Sequence, residues 1–213
     1  GTASKIFKTS GMTKGRFFEK AQTPGFEPIP LGVTVTATLN NTYKKDASQN
    51  VIAMIKGSEL PEEYIIYTAH WDHLGIGEVV NGDSIYNGAV DNASGTAAVL
   101  SIAKAFAKME EAHKRSIVFL LVTAEEQGLL GSAYYGQNPI FPDNQTVANV
   151  VIGYGQSELE DYAAEFAKAQ GRYIVPDLDP GKGYFFRSDH FSFAKVGIPA
   201  LYAEGGTDHV TRG

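Results

Sequence analysis

Short apolar runs recur along the chain, separated by polar and glycine-rich stretches. Residues 33–39, Val-Thr-Val-Thr-Ala-Thr-Leu, alternate cleanly and predict a half-exposed strand. Residues 50–55 predict a second strand, stopped by Gly57 and Pro61. Residues 64–69 form a more apolar run, expected near the middle of a sheet, and residues 116–122 are the most apolar of all. Further strands are predicted over 146–152 and 198–203. Between these runs the period changes. Residues 92–109 place Ala97, Ala98, Leu100, Ile102, Ala103 and Phe106 on one wide face, which predicts a helix packed on the sheet, capped by Asn92 or Ser94. Shorter helical patterns cover 14–20, 129–135 and 192–196. Residues 157–170 predict another helix, with Leu159, Tyr162, Ala163, Phe166 and Ala167 on one side and a Ser157/Glu160 capping box. Residues 75–88 read as a long loop with a turn at Asn81-Gly82-Asp83-Ser84.

Strands alternating with helices predict an α/β protein: a three-layer αβα sandwich with a mixed, mostly parallel central sheet. Residues 1–30 are weakly periodic and end in a Pro/Gly-rich stretch, so they read as a linker or the remnant of a neighbouring domain. Residues 31–213 read as the main domain.

Composition narrows the partners. The 213 residues are 43% hydrophobic and 20% charged, ordinary for a globular chain. A net charge of −6 argues against nucleic acid or an anionic membrane as the main partner, while leaving open a peptide with a cationic amine. No run approaches the roughly 20 apolar residues of a membrane span, and residues 1–30 show no charged stretch followed by the apolar run of a signal peptide. With no cysteine, any zinc site has to use His, Asp and Glu.

Three polar clusters sit at the ends of apolar runs: His70-Trp71-Asp72-His73, Asn87-Gly88-Ala89-Val90-Asp91-Asn92, and Glu125-Glu126-Gln127-Gly128. If the strands are parallel, these clusters gather at one sheet edge, where ligands bind in such folds. Several carboxylates in one pocket repel one another, and a divalent cation relieves that penalty. Taken singly, each has a plain reading. His70 is a polar strand end, Asp91 an acid at a helix N-terminus, and Glu125-Glu126 a solvated loop. His73 reads as a loop residue or a supporting group, and His113 as a surface residue.

The motifs His70-x-Asp72, Asn87-Gly88-Ala89-x-Asp91-Asn92-x-Ser94-Gly95, Glu125-Glu126-x-Gly128-x-x-Gly131-Ser132 and Arg187-Ser188-Asp189-His190 occur in order. Together they resemble peptidase family M28, the co-catalytic zinc peptidases, mostly aminopeptidases. The resemblance implies two zinc ions per site, with His70 on one, Glu126 on the other and Asp91 bridging. It implies Glu125 as general base towards a metal-bound water, Asp72 as the group that orients His70, and a cis peptide at Asp91–Asn92. It also implies an exopeptidase that removes N-terminal residues from peptides, and a location outside the cytoplasm, extracellular or periplasmic. Asp189, His190 and Phe185 are expected to line the substrate pocket.

Two ligands of the family pattern have no clear counterpart. An Asp is expected after the strand that ends near Val150, and a His near the C-terminus, where only His209 stands. We expect that segments of a longer protein are missing from the 213 residues. The alternative is a peptidase-like binding domain with a deficient metal site, holding fewer zinc ions or none.

Overall fold

A computed structural model describes residues 2–9, 11–34, 36–152, 159–174 and 180–203. The chain divides into two compact units, 1–46 and 47–213, beyond the boundary at residue 30 that composition suggests. In the first unit, α1 (Thr2–Thr9) and α2 (Lys14–Ala21) are joined by a tilted ring contact of Phe7 with Phe17, with centroids 4.7 Å apart. The Thr13 hydroxyl caps α2 by accepting the Arg16 amide. Residues 33, 34 and 36–39 form no strand and are exposed throughout. Their alternation has no buried face and no partner ladder among the described residues, and pattern alone does not make a strand.

The second unit is built on a five-stranded sheet. Its elements begin with β1 (Val51–Ile55), β2 (Leu60–His70) and a small hairpin of β3 (Gly75–Val80) and β4 (Asp83–Tyr86). A π-helical turn (Ala89–Ser94) leads into α3 (Gly95–Ala107). Then come β5 (Arg115–Val122), α4 (Leu130–Gln137), β6 (Thr146–Ile152), α5 (Glu160–Ala169), α6 (His190–Ala194) and β7 (Ala200–Ala203). The strand order is β1-β5-β2-β6-β7. Only β1 runs antiparallel to its neighbour. This is the mixed, mostly parallel sheet that the sequence predicts, with β2 in the middle.

Alternation along the strands sorts the core into two layers. Ile66, Val118, Leu120 and Val122 point to one face, where Tyr135 of α4 and Phe193 of α6 cover them. Ala69, Ile117 and Phe119 point to the other, under Val99, Ile102 and Phe106 of α3. Helices thus flank the sheet on both sides, and both faces of β2 and β5 are buried. That is why β2 from Tyr64 to Ala69 and β5 from Ile117 to Val122 are apolar at nearly every position.

Four elements depart from expectation. Residues 75–86 are a hairpin rather than a loop. Asn81 and Gly82, at φ 53° and 88°, supply the two left-handed residues that a tight turn between strands needs. Helix α3 begins at Gly95 because Asn92 and its neighbours make the π-helical turn, though the Asn92 side chain does cap it by accepting the Gly95 amide at 3.0 Å. In α5, Phe166 is 71% exposed rather than packed, and Ser157 of the expected capping box lies outside the described residues. His113 is half-buried against the Phe106 ring instead of lying free on the surface.

Candidate metal centre and active site

Strand register brings the polar clusters together. His70, the last residue of β2, pairs with Val122, the last residue of β5. The Trp71 amide extends the ladder by one bond to the Val122 carbonyl. The chain segments leaving these two strands therefore start side by side. The first carries Asp72 and His73, and the second carries Glu125 and Glu126. The Thr96 hydroxyl of α3 donates to the His70 carbonyl at 3.0 Å, which ties the Asp91 turn to the same edge.

Each turn has a local cause. After β5 the chain reverses tightly, with the Glu125 carbonyl accepting the amides of Gly128 and Leu129. Gly131 lies so close that a Cβ there would sit 2.2 Å from the Thr123 carbonyl oxygen. In the π-helical turn the Asp91–Asn92 peptide is cis, as the family resemblance implies. Gly88 and Gly95 allow the turn to close. A Cβ on Gly88 would meet the His73 ring at 2.6 Å, and one on Gly95 would meet the Asn92 side-chain oxygen at 2.1 Å.

The side chains then separate into two groups. In the first, the buried His70 places Nε2 2.9 Å from Asp91 Oδ1 and 3.9 Å from Glu125 Oε2. Its Nδ1 faces the backbone carbonyl of Asp72 at 3.1 Å, while the Asp72 carboxylate is 3.8 Å away. That carboxylate instead accepts the backbone amides of Glu125 and Glu126, at 3.1 and 3.4 Å. Asp72 therefore orients His70 through its main chain, and its side chain positions the two glutamates. The difference from the expected carboxylate–imidazole bond arises because two amides compete for the same acceptor.

In the second group, His73 Nδ1 and Glu126 Oε1 approach to 2.7 Å, yet both atoms are buried and neither has a hydrogen-bond partner. With Asp91 they offer three donor atoms within 4.8 Å of one another. A buried imidazole nitrogen, a buried carboxylate oxygen and a nearby carboxylate, all within 4.8 Å of one another, offer the donor set of a divalent cation. Imidazole with carboxylates suits zinc. Sequence reasoning placed His70 in this role and left His73 aside. The available signal was Gly88, whose missing side chain makes room for the His73 ring. His70 remains adjacent through Asp91, the residue shared by both groups.

Burial and mutual repulsion shape the titration. Burial pushes Glu125 up to about 7, with the charges of Asp189, Glu126 and Asp91 adding and His70 opposing. For His70, burial pulls the pKa down, but the carboxylates of Glu125, Asp189 and Asp91 and the Asp72 carbonyl outweigh it, and the net shift is upward.

Beside Glu125 and Glu126 opens a cavity of about 530 Å³, walled by Leu129, Ala133, Phe186, Arg187, Phe191 and Lys195. The residues expected to line it lie elsewhere. Asp189 and His190 are 1% and 0% exposed, beneath the wall rather than on it. Burial raises Asp189 to about 6, against the Ser132 hydroxyl and His70, and lowers His190 to about 4. Phe185 packs edge-on against His190 at 4.8 Å, and it is its neighbour Phe186 that reaches the cavity. They differ from expectation because the helical turn at 184–187 turns Phe186 and Arg187 to the cavity and Phe185 towards His190, while Asp189 and His190 are buried under it. His209 and the segment directly after β6 lie outside the described residues.

Known proteins with the same pattern converge on one family. Peptidase family M28 matches residues 50–211. The mouse aminopeptidase NAALADL1 is 35% identical over 155 residues, covering 70% of this chain and 19% of that protein. A probable zinc metalloprotease of Pyrenophora tritici-repentis is 41% identical over 88 residues, covering 41% of this chain and 18% of that protein. The chain thus spans about a fifth of the length of these relatives. A zinc aminopeptidase from Bacillus subtilis shares the fold with a TM-score of 0.51 at 23% identity, covering 78% of this chain and 42% of that one. A glutaminyl cyclase from Porphyromonas gingivalis does so with a TM-score of 0.57 at 19% identity, covering 73% and 62%. With the family model matching from Asn50, just before β1, to residue 211, this chain belongs to peptidase family M28.

Proposed function

We propose that this domain is a zinc-dependent aminopeptidase, which hydrolyses the N-terminal peptide bond of short peptides. The observation that carries the reading is the division of the two adjacent glutamates. Glu126 joins His73 and Asp91 in an unsatisfied donor group, while Glu125 stands beside His70 with its pKa near 7. His73, Asp91 and Glu126 hold zinc in this reading, with His70 contributing from the other side of Asp91, and the family resemblance sets the expected number of ions at two. Zinc, when bound, supplies Lewis acidity towards the scissile carbonyl. Glu125 takes a proton from the attacking water and returns it to the leaving amine, a task suited to a group that titrates near neutral pH. Asp91, whose side chain is 67% exposed, faces the cleft and attracts the substrate ammonium. Hydrolysis of an aminoacyl anilide by the zinc-loaded protein tests the assignment. Activity that survives Glu125→Gln would show that the base is another group.

A second reading, a peptidase-like binding domain, draws on the donor count. Among the described residues only one group of three possible ligands is found. Metal analysis separates the two: two zinc ions per chain support the peptidase, and none supports the binding domain.

A further inference from the structure

The cavity beside the glutamates carries both signs of charge in its lining, Glu125 and Glu126 together with Arg187 and Lys195. Neither cation pairs with a carboxylate among the described residues. Both are instead held by aromatic rings. The Arg187 guanidinium lies 5.7 Å from the centroid of Tyr184, and Lys195 Nζ lies 4.3 Å from that of Phe191. A cation resting on a ring keeps its outward hydrogen bonds free and loses less freedom when it binds an anion.

We propose that Arg187 and Lys195 form a carboxylate-binding wall of the substrate cavity. On the aminopeptidase reading above, on which this rests, Asp91, within 4.8 Å of the cavity-lining Glu126, receives the substrate ammonium, and the basic residues receive its carboxylate. An extended dipeptide spans about 7 Å between its termini, so the ligand class that carries both charges within a cavity of about 530 Å³ is a di- or tripeptide with a free C-terminus. An acidic side chain just beyond the scissile bond offers the same carboxylate chemistry. Arg187 is suited to bidentate capture of either, and Lys195 adds a point charge.

The test compares Leu-Leu, Leu-Leu amide and Leu-Glu amide as substrates of the zinc-loaded protein. Leu-Leu is expected to exceed its amide in kcat/KM by roughly 10-fold, the scale of a charge-assisted hydrogen bond at a partly exposed site. The ratio should fall close to one in an Arg187→Ala, Lys195→Ala double variant, and Arg187→Lys should retain part of it. Leu-Glu amide matching Leu-Leu assigns the wall to a side-chain carboxylate, and Leu-Glu amide matching Leu-Leu amide assigns it to the C-terminus. A ratio near one in the unaltered protein, or one unchanged in the double variant, overturns the proposal. Should no substrate turn over, the hydrolytic reading fails, and the wall is judged by calorimetric binding of Leu-Leu and Leu-Leu amide to the Glu125→Gln protein. There, a preference for the free acid of similar size supports the wall, and equal binding, or no binding of either peptide, overturns it.

Discussion

Around His70 the polar atoms have partners. Its ring nitrogens face the Asp72 carbonyl and the Asp91 carboxylate, and the Asp72 side chain takes two amides. Around His73 the pairing is poorer. Its Nδ1 lies 2.7 Å from Glu126 Oε1, but both atoms are buried and the approach lacks hydrogen-bond geometry. Both groups hang from the ends of neighbouring strands and share Asp91, and the second offers three donor atoms converging on one point. Burial of a polar atom costs free energy unless something answers it. On the proposed function, the Glu125 side of the site would move protons and the His73–Asp91–Glu126 side would hold metal, with His70 reaching both through Asp91.

The largest effect should come from the first group. Glu125→Gln is expected to lower kcat by about 10²–10⁴-fold while zinc content, measured by metal analysis, stays the same. Loss of zinc in that variant would merge the two groups into one. Next, His73→Ala should weaken zinc binding beyond the roughly 10–100-fold that losing an outer partner costs. Competition with a chelator measures it, and an unchanged affinity would return His73 to the supporting role. Smaller is Asp72→Ala. It frees the two amides that position Glu125 and Glu126, so kcat should fall by roughly 10–100-fold with a lesser change in zinc affinity.

The fourth prediction asks whether unanswered atoms always mean metal. His190 also has two buried ring nitrogens without partners, but aromatic rings surround it. Its pKa is lowered to about 4 because burial disfavours the cation. A depressed folded pKa leaves stability in place above the unfolded value, about 6.5, and removes it as pH falls towards 4. Across that window the unfolded chain binds the extra proton. His190→Phe should therefore flatten the acid limb of stability, worth about 1–3 kcal/mol, as read by denaturant melts at several pH values. An unchanged slope would show that His190 is not the group titrating there, and a zinc-dependent one would place it with the metal ligands.

Much of this was legible in the chain. β2, β5 and α3 were readable because burial on both sides of the sheet leaves little room for polar residues, and their ends mark where the chemistry sits. His70, Asp91, Glu125 and Glu126 all come to that edge. The hairpin of β3 and β4 was harder to see. Its strands are largely exposed and glycine-containing, so no alternation advertises them, although Asn81-Gly82 carried the turn. Residues 33, 34 and 36–39 misled in the opposite way, with alternation but no partner ladder among the described residues. His73, Asp189 and His190 show a further limit. Whether a side chain faces a cleft or the core depends on a turn of one or two residues, and periodicity over a long window does not resolve that.

The two amides held by Asp72 join the tail of one strand to the tail of the next. That makes the relative alignment of β2 and β5 a setting of the chemistry itself. A slip of a single residue between them would turn inside to outside along the strand and send the base and the metal ligand to each other's stations. Substitutions deep in the sheet that loosen this alignment should therefore silence the protein long before they unfold it.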